Sequence, residues 1–246
     1  MKKFLTLLLL IIILFIFSYI FLYYFFNLAP KDNYFNKTFR PKIISNFFLR
    51  KIFKLHTIGD ARYDYLKDDV FKSLMINVFN QEGETLTDET KNQLVSKISA
   101  LIKKPDGITI SEKTLEDPLP ENVTDQDLIN LLKIYQHNSN KKAQLNIFVL
   151  KKYEPHPTYT GLVIDAGSIF IFMDTVRDLS FYEKTTTSAE ISALLHEFAH
   201  LLGAEHVEDN KCILSEKVEN TILGRPEEII TTFCPKDLEE IYKSNN

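Results

Sequence analysis

Residues 4–26 read FLTLLLLIIILFIFSYIFLYYFF, a run of 23 residues broken only by Thr6 and Ser18. As a helix it would be about 35 Å long, enough to cross a hydrocarbon core of about 30 Å. Lys2 and Lys3 are the only charged residues before position 31, so the chain opens on an apolar rod that must be removed, buried or placed in a bilayer. A secretory signal has an apolar stretch of only about 7–15 residues and a small-residue cleavage site. Here a cut after Ala29 would put Asn27 where a small residue is wanted and leave Pro30 beyond the cut. The expectation is a single-pass anchor over residues 4–26 behind a short tail, residues 1–3, with a removed signal as the competing reading. Tyr19, Tyr23 and Tyr24 suit the membrane interface.

Charge on the two flanks gives opposing orientations: Lys2 and Lys3 favour an inside N-terminus, whereas Lys31, Lys37, Arg40 and Lys42 oppose it. A short tail before a long apolar run has the form of an uncleaved export signal, so the bulk of the chain is expected outside the cytoplasm. In that compartment Cys212 and Cys234 can form a disulfide, with two ordinary buried thiols as the alternative. Residues 27–50 mix basic, aromatic and asparagine residues without a clear period and read as a juxtamembrane linker. Asn36-Lys37-Thr38 and Asn122-Val123-Thr124 match the glycosylation sequon, a short and weak pattern.

The remainder, residues 51–246, is long enough for one domain with a real core, and 45% of the chain is hydrophobic. A formal net charge of −4 leaves no electrostatic footprint for nucleic acid. Two cysteines are too few for a disulfide scaffold or a four-cysteine zinc site.

Ile52, Phe53, Leu55 and Ile58 suggest a first strand closed by Gly59-Asp60, and Leu66, Val70, Phe71, Leu74 and Val78 recur at helical spacing. Leu94, Ile98, Leu101 and Ile102 form a second helical pattern, with Thr87 or Asp88 as cap and Pro105-Asp106-Gly107 as stop. Ile108 and Ile110 begin a short strand, and Pro118 and Pro120 mark extended loop. Thr124 and Asp127 open a helix carrying Leu128, Leu131, Leu132 and Tyr135. Leu145, Ile147 and Val149 alternate as in a half-buried strand, Leu162-Val163-Ile164 suits an edge strand, and residues 169–173 read as a buried one. A proline-started helix over residues 235–242 closes the chain. This mixture indicates an α+β domain around a mixed sheet, with three to four main helices.

Thr187-Ser188-Ala189-Glu190 has capping-box form, and Ile191, Leu194, Leu195, Phe198, Leu201 and Leu202 give the helix after it a broad apolar surface. Its polar residues are therefore conspicuous. His196 and His200, four apart, share a helix face and can reach one metal ion, while Glu197 lies beside them as a general base. Gly203 can take positive φ and end the helix sharply, and His206, three residues on, can swing back as a third ligand. Two buried structural histidines with a surface glutamate are the bland alternative. His56, His137 and His156 have no ligand partners at a recognisable spacing and read as surface or structural residues.

The string His196-Glu197-Phe198-Ala199-His200-Leu201-Leu202-Gly203-Ala204-Glu205-His206 resembles the HExxHxxGxxH signature of the metzincin zinc proteases. The order of elements over residues 52–246 is similar to a metzincin catalytic domain, particularly a minimal archaemetzincin-like form. That resemblance implies a zincin fold, one catalytic Zn2+ on His196, His200 and His206, and Glu197 as the base for a zinc-activated water. It also implies a peptide or protein substrate aligned along the edge segment at residues 160–166 by strand addition. Metzincins follow the third histidine with a methionine turn beneath the metal; the methionines here are Met1, Met75 and Met173, and Leu214 stands where that methionine is expected. Archaemetzincins carry cysteines for another zinc ion, and with only two cysteines a second structural zinc is not expected. The functional expectation is a membrane-anchored zinc endopeptidase; the alternative is a zinc-bound, catalytically weak peptide- or protein-binding module at the membrane.

Overall fold

The computed structural model describes residues 2–30, 32–135, 142–180, 183–219 and 229–243. It divides into two compact units, Met1–Leu55 and His56–Asn246.

The first unit opens with helix α1 (Lys2–Tyr23), which continues as a π-helical turn, Tyr24–Leu28. The helix from Lys3 to Leu28 is long and apolar enough to cross a membrane, with its large side chains turned outward. Helices α2 (Tyr34–Ile44) and α3 (Phe47–Ile52) follow. Their starts are set by Asn33 and Asn46, whose side chains accept from the amides of Asn36 and Leu49 at 3.0 and 3.1 Å. Orphan carbonyls at the end of the first helix are satisfied by side chains from α2: Phe25 O accepts from Asn33 and Asn36, and Phe26 O from Arg40. Phe26, Phe53 and Leu55 form a small core with Leu22, Phe35, Ile43 and Ile44.

Residues 27–50, which read as a linker, are thus largely helical. The first strand expected from Ile52 to Ile58 is absent: Ile52 ends α3, and Phe53 stacks on Tyr19 with ring centroids 5.8 Å apart. Packing against α1 overrides the strand propensity of this apolar segment. Asn36 is buried, with its amide bonded to Phe25 O, so of the two sequons only Asn122 is exposed.

The second unit contains α4 (Arg62–Leu66), β1 (Leu74–Asn80), α5 (Asp88–Leu101), β2 (Ile108–Thr114), β3 (Asn122–Val123), α6 (Asp125–Tyr135), β4 (Ala143–Leu150), β5 (Lys152–Tyr153), β6 (Gly161–Val163) and β7 (Ser168–Phe172). Helices α7 (Met173–Leu179), α8 (Glu183–Leu201), α9 (Glu216–Glu219) and α10 (Pro235–Lys243) complete it. The sheet has strand order β2-β1-β4-β7-β6. Four strands are parallel, and β6 pairs antiparallel with β7 at one edge. This is the mixed-sheet α+β architecture indicated by the sequence.

Its three central strands are buried on both faces, and alternation sorts their side chains. Ile76, Val78, Leu145, Ile147, Ile169 and Ile171 form an aliphatic face. Phe79, Phe148 and Phe170 are paired in register across β1, β4 and β7 on the opposite face. Their rings stack at 5.2 and 4.9 Å and pack with Leu128 and Leu131 of α6. Helix α8 packs on β6, β7, α5 and α7.

Two helix readings are corrected. The Leu66–Val78 pattern splits into α4 and β1, because Leu74 and Val78 are four apart yet also share the period-2 face of a strand. Helix α8 already runs at Glu183, so Thr187 does not cap it. Instead Thr87 caps α5, accepting from Thr90 N at 3.1 Å, and buried Glu190 accepts from Thr90 Oγ1 and Thr87 N. The capping carboxylate thus comes from a different helix.

Candidate metal centre

Helix α8 is a buried element: Ile191, Leu194, Leu195, Phe198 and Leu201 have no solvent exposure. Burying His196 and Glu197 on it, at 0% and 1% exposure, is costly unless each polar group has a task. The Nδ1 of His196 lies 2.7 Å from Ile213 O, and that of His200 lies 2.8 Å from Ala204 O. A carbonyl only accepts, so both Nδ1 atoms carry the proton and both Nε2 atoms present lone pairs. Burial, and then the neighbouring His200, hold the His196 pKa well below the usual histidine range, consistent with a neutral ring.

Gly203 makes the third histidine possible. It has φ +85° and faces Gly59, also at positive φ, so closely that a Cβ on Gly203 would sit 3.3 Å from Gly59 Cα. Gly59 N donates to Leu201 O at 3.3 Å, tying this turn to the end of α8. Beyond the turn, His206 comes back to the helix face. The three Nε2 atoms lie 2.9, 3.1 and 3.4 Å apart.

This spacing tests the fit of a metal. Since His196 and His200 use their protons elsewhere, their Nε2 atoms, 2.9 Å apart, meet lone pair to lone pair. A cation between them turns that repulsion into attraction. Zinc bonds of about 2.0–2.1 Å in tetrahedral geometry would set the nitrogens about 3.3 Å apart, close to the separations here. The donor set therefore fits a three-histidine zinc centre, which runs from fully buried His196 to exposed His206.

Two residues that the sequence did not single out complete the surroundings. Gly161, at the start of β6, lies against Glu197: a Cβ on it would meet Glu197 Cγ at 2.6 Å and Oε1 at 2.7 Å. Asp237, at the start of α10, accepts from the amides of Ile213, Leu214 and Cys234 at 3.0, 3.0 and 2.8 Å. It clamps the turn whose Ile213 carbonyl orients His196. The contacts that matter for the site lie far along the chain, Gly161 to Glu197 and Asp237 to Ile213 and Leu214, so local sequence does not reveal them; the Asp237 contact to Cys234 three residues back shows only a helix start. Leu214 is fully buried in that turn, and its carbonyl accepts from Val207 N. A disulfide joins Cys212 to Cys234.

The outer edge of β6 pairs with no strand among the described residues, and β6 borders α8. His56 pairs with Asp165, Nε2 to Oδ2 3.1 Å, in the connection between β6 and β7, and His156 stacks on Tyr159. His137 lies outside the described residues.

No protein-family model matches the sequence, and no curated protein matches it. Among solved structures the chain is similar to archaemetzincin from Methanopyrus kandleri, with a TM-score of 0.51 and 14% identity over 71% of this chain and 96% of that one. An archaemetzincin from Archaeoglobus fulgidus, complexed with malonate, gives 0.41 and 12% over 68% and 99%. A zinc-dependent peptidase from Methanocorpusculum labreanum gives 0.44 and 13% over 68% and 99%. The first of these establishes an archaemetzincin-like fold.

Proposed function

We propose that this chain is a zinc-dependent endopeptidase tethered to a membrane by residues 4–26, with the unit His56–Asn246 as its catalytic domain. The observation that carries the reading is the convergence of three histidine Nε2 atoms within 3.4 Å beside a buried glutamate. The fold shared with an archaemetzincin supports it. The Cys212–Cys234 disulfide supports an oxidising, extracytoplasmic location for this unit.

A bound zinc ion supplies Lewis acidity and lowers the pKa of a coordinated water to about 7. The rest falls to the protein. Ile213 O and Ala204 O hold two imidazoles in one tautomer, which orients the ligands and raises their basicity. Glu197, next to His196 on α8, accepts the proton of the attacking water and returns it to the departing amide nitrogen. Its burial withholds competing solvent and strengthens that exchange. The outer edge of β6, unpaired among the described residues, is the place for an extended peptide to add as a strand, and Gly161 at the start of that strand lies against Glu197. Gly161 has no side chain to obstruct that approach.

The test is cleavage of an unfolded protein mixture by the full chain, read by mass spectrometry, with zinc, with a chelator, and with Glu197→Ala. Cuts that require both zinc and Glu197 are expected. A folded protein holding one zinc ion that makes no cut would overturn the reading in favour of a binding module.

A further inference from the structure

We infer that α2 and α3 form an interfacial platform resting in the headgroup layer of an anionic bilayer beside α1, an inference that rests on residues 4–26 crossing that membrane. The two helices are folded back along the last turns of α1. Tyr19 Oη donates to Ile52 O at 3.2 Å, its ring stacks on Phe53, and Asn27 Nδ2 donates to Phe53 O at 3.0 Å. Phe35 of α2 meets Phe21 edge-on at 5.4 Å. Tyr19 precedes the apolar end at Phe26 by about 10 Å of helix, so α3 lies level with the tyrosine belt of α1. Tyrosines there mark the membrane–water boundary.

The outward surface of this hairpin matches that depth. Phe48 is 75% exposed, and it shares one arc of α3 with Leu49 and Ile52. On α2, Tyr34 and Phe39 are exposed as well. Residues 33–59 contain six basic side chains and no acidic one. Lys37, Lys42, Lys51 and Lys54 are exposed. Protruding aromatic and aliphatic side chains among lysines are the signature of a helix lying in an anionic interface, with the apolar groups in the acyl boundary and the ammonium groups on phosphates. A second copy of the chain is a poorer occupant, since a two-fold contact would set lysines against lysines.

The chain has no tryptophan, so single introduced indoles report unambiguously. The full chain carrying Phe48→Trp or Phe15→Trp is reconstituted into phosphatidylcholine vesicles with or without phosphatidylglycerol, using lipids brominated at shallow or deep acyl positions. The expected result is deep quenching for the position 15 probe and shallow quenching with a blue shift for the position 48 probe, stronger with phosphatidylglycerol. Replacing Lys42, Lys51 or Lys54 with glutamine should lower the docking equilibrium constant read by the position 48 probe about fivefold per lysine. Deep quenching at position 15 with a water-like, unquenched position 48 probe overturns the platform while the span stands. Quenching at neither position overturns the span and the platform with it. Equal shallow quenching at position 48 with and without phosphatidylglycerol overturns the choice of an anionic partner.

Discussion

Gly161→Ala adds one methyl group, and the geometry says where it goes. The new Cβ would lie 2.6 Å from Glu197 Cγ, 2.9 Å from Cδ and 2.7 Å from Oε1. Non-bonded carbons sit at about 3.5–4.0 Å, so one partner must retreat by about 1 Å. Glu197 is buried on a packed helix, and β6 is held by its ladder to β7. Misplacing a reacting group by about 1 Å costs on the order of 10²-fold in rate, and a positioned general base contributes about 10²–10⁴-fold. The expected result is a kcat lower by about 10²-fold, equivalent to about 2.7 kcal/mol of barrier, with zinc content unchanged. Steady-state cleavage of a fluorogenic peptide measures it, with zinc counted by atomic absorption and folding checked by thermal melting. The same substitution in a Glu197→Gln background should cost little more, because the displaced base is already gone. A kcat within about twofold of the parent in a folded, zinc-loaded Gly161→Ala protein would refute the argument. So would an equal additional loss in the Gln background.

Four further outcomes follow from the same geometry. Asp237→Asn removes acceptor capacity shared by the amides of Ile213, Leu214 and Cys234; zinc affinity by chelator competition should fall on the order of tenfold, and denaturant stability by about 2 kcal/mol. Reducing the Cys212–Cys234 bond, whose partners are 22 positions apart, should lower stability by about 3 kcal/mol, read as a shift in urea midpoint. Chelation should abolish cleavage and lower the melting temperature, with zinc at a thousandfold excess over its Kd restoring about 4 kcal/mol. Burial pushes the Glu190 carboxyl up, so the folded chain keeps that proton to higher pH than the unfolded chain. Its contribution to stability therefore falls as pH rises from about 4.3, the unfolded value, through the raised folded value, and is level above it. Glu190→Gln should flatten that part of the melting profile.

Local chemistry made parts of this molecule legible from the sequence. Thr87 caps α5 and Thr124 pairs with Asp127 at the start of α6, as their spacing predicts. The apolar run at residues 169–173 gave β7 because strand burial writes itself into consecutive residues, although Met173 already opens α7. The alternation around Leu145 located β4, but that strand is buried on both faces rather than half-buried, because Phe148 and Leu150 are as deeply covered as Leu145 and Ile147. The histidine cluster was equally readable because helix pitch alone brings His196 and His200 together. What escaped depended on partners distant in sequence. Nothing in Ile52-Phe53 announces a helix end stacked on Tyr19, and a 74/78 spacing serves a helix and a strand alike. Glu190 looked like the partner of Thr187, but the threonines it satisfies, Thr87 and Thr90, are about a hundred residues away.

The turn below the histidines shows how such distant contacts can replace a local signal. The sequence resemblance leads one to expect a methionine at the position of Leu214. The geometry puts the emphasis on the backbone. His196 is oriented by the carbonyl of Ile213, and the Ile213 and Leu214 amides are both fixed by one carboxylate on α10. The disulfide ties the same turn to the residue just before that helix. A leucine fills a hydrophobic position about as well as a methionine, so Leu214→Met should leave zinc affinity within about twofold of the parent. Asp237→Asn should weaken it by the larger margin given above. Chelator competition on the two variants separates the alternatives: the reverse ranking would show that the buried side chain, not the clamped backbone, holds His196 in place.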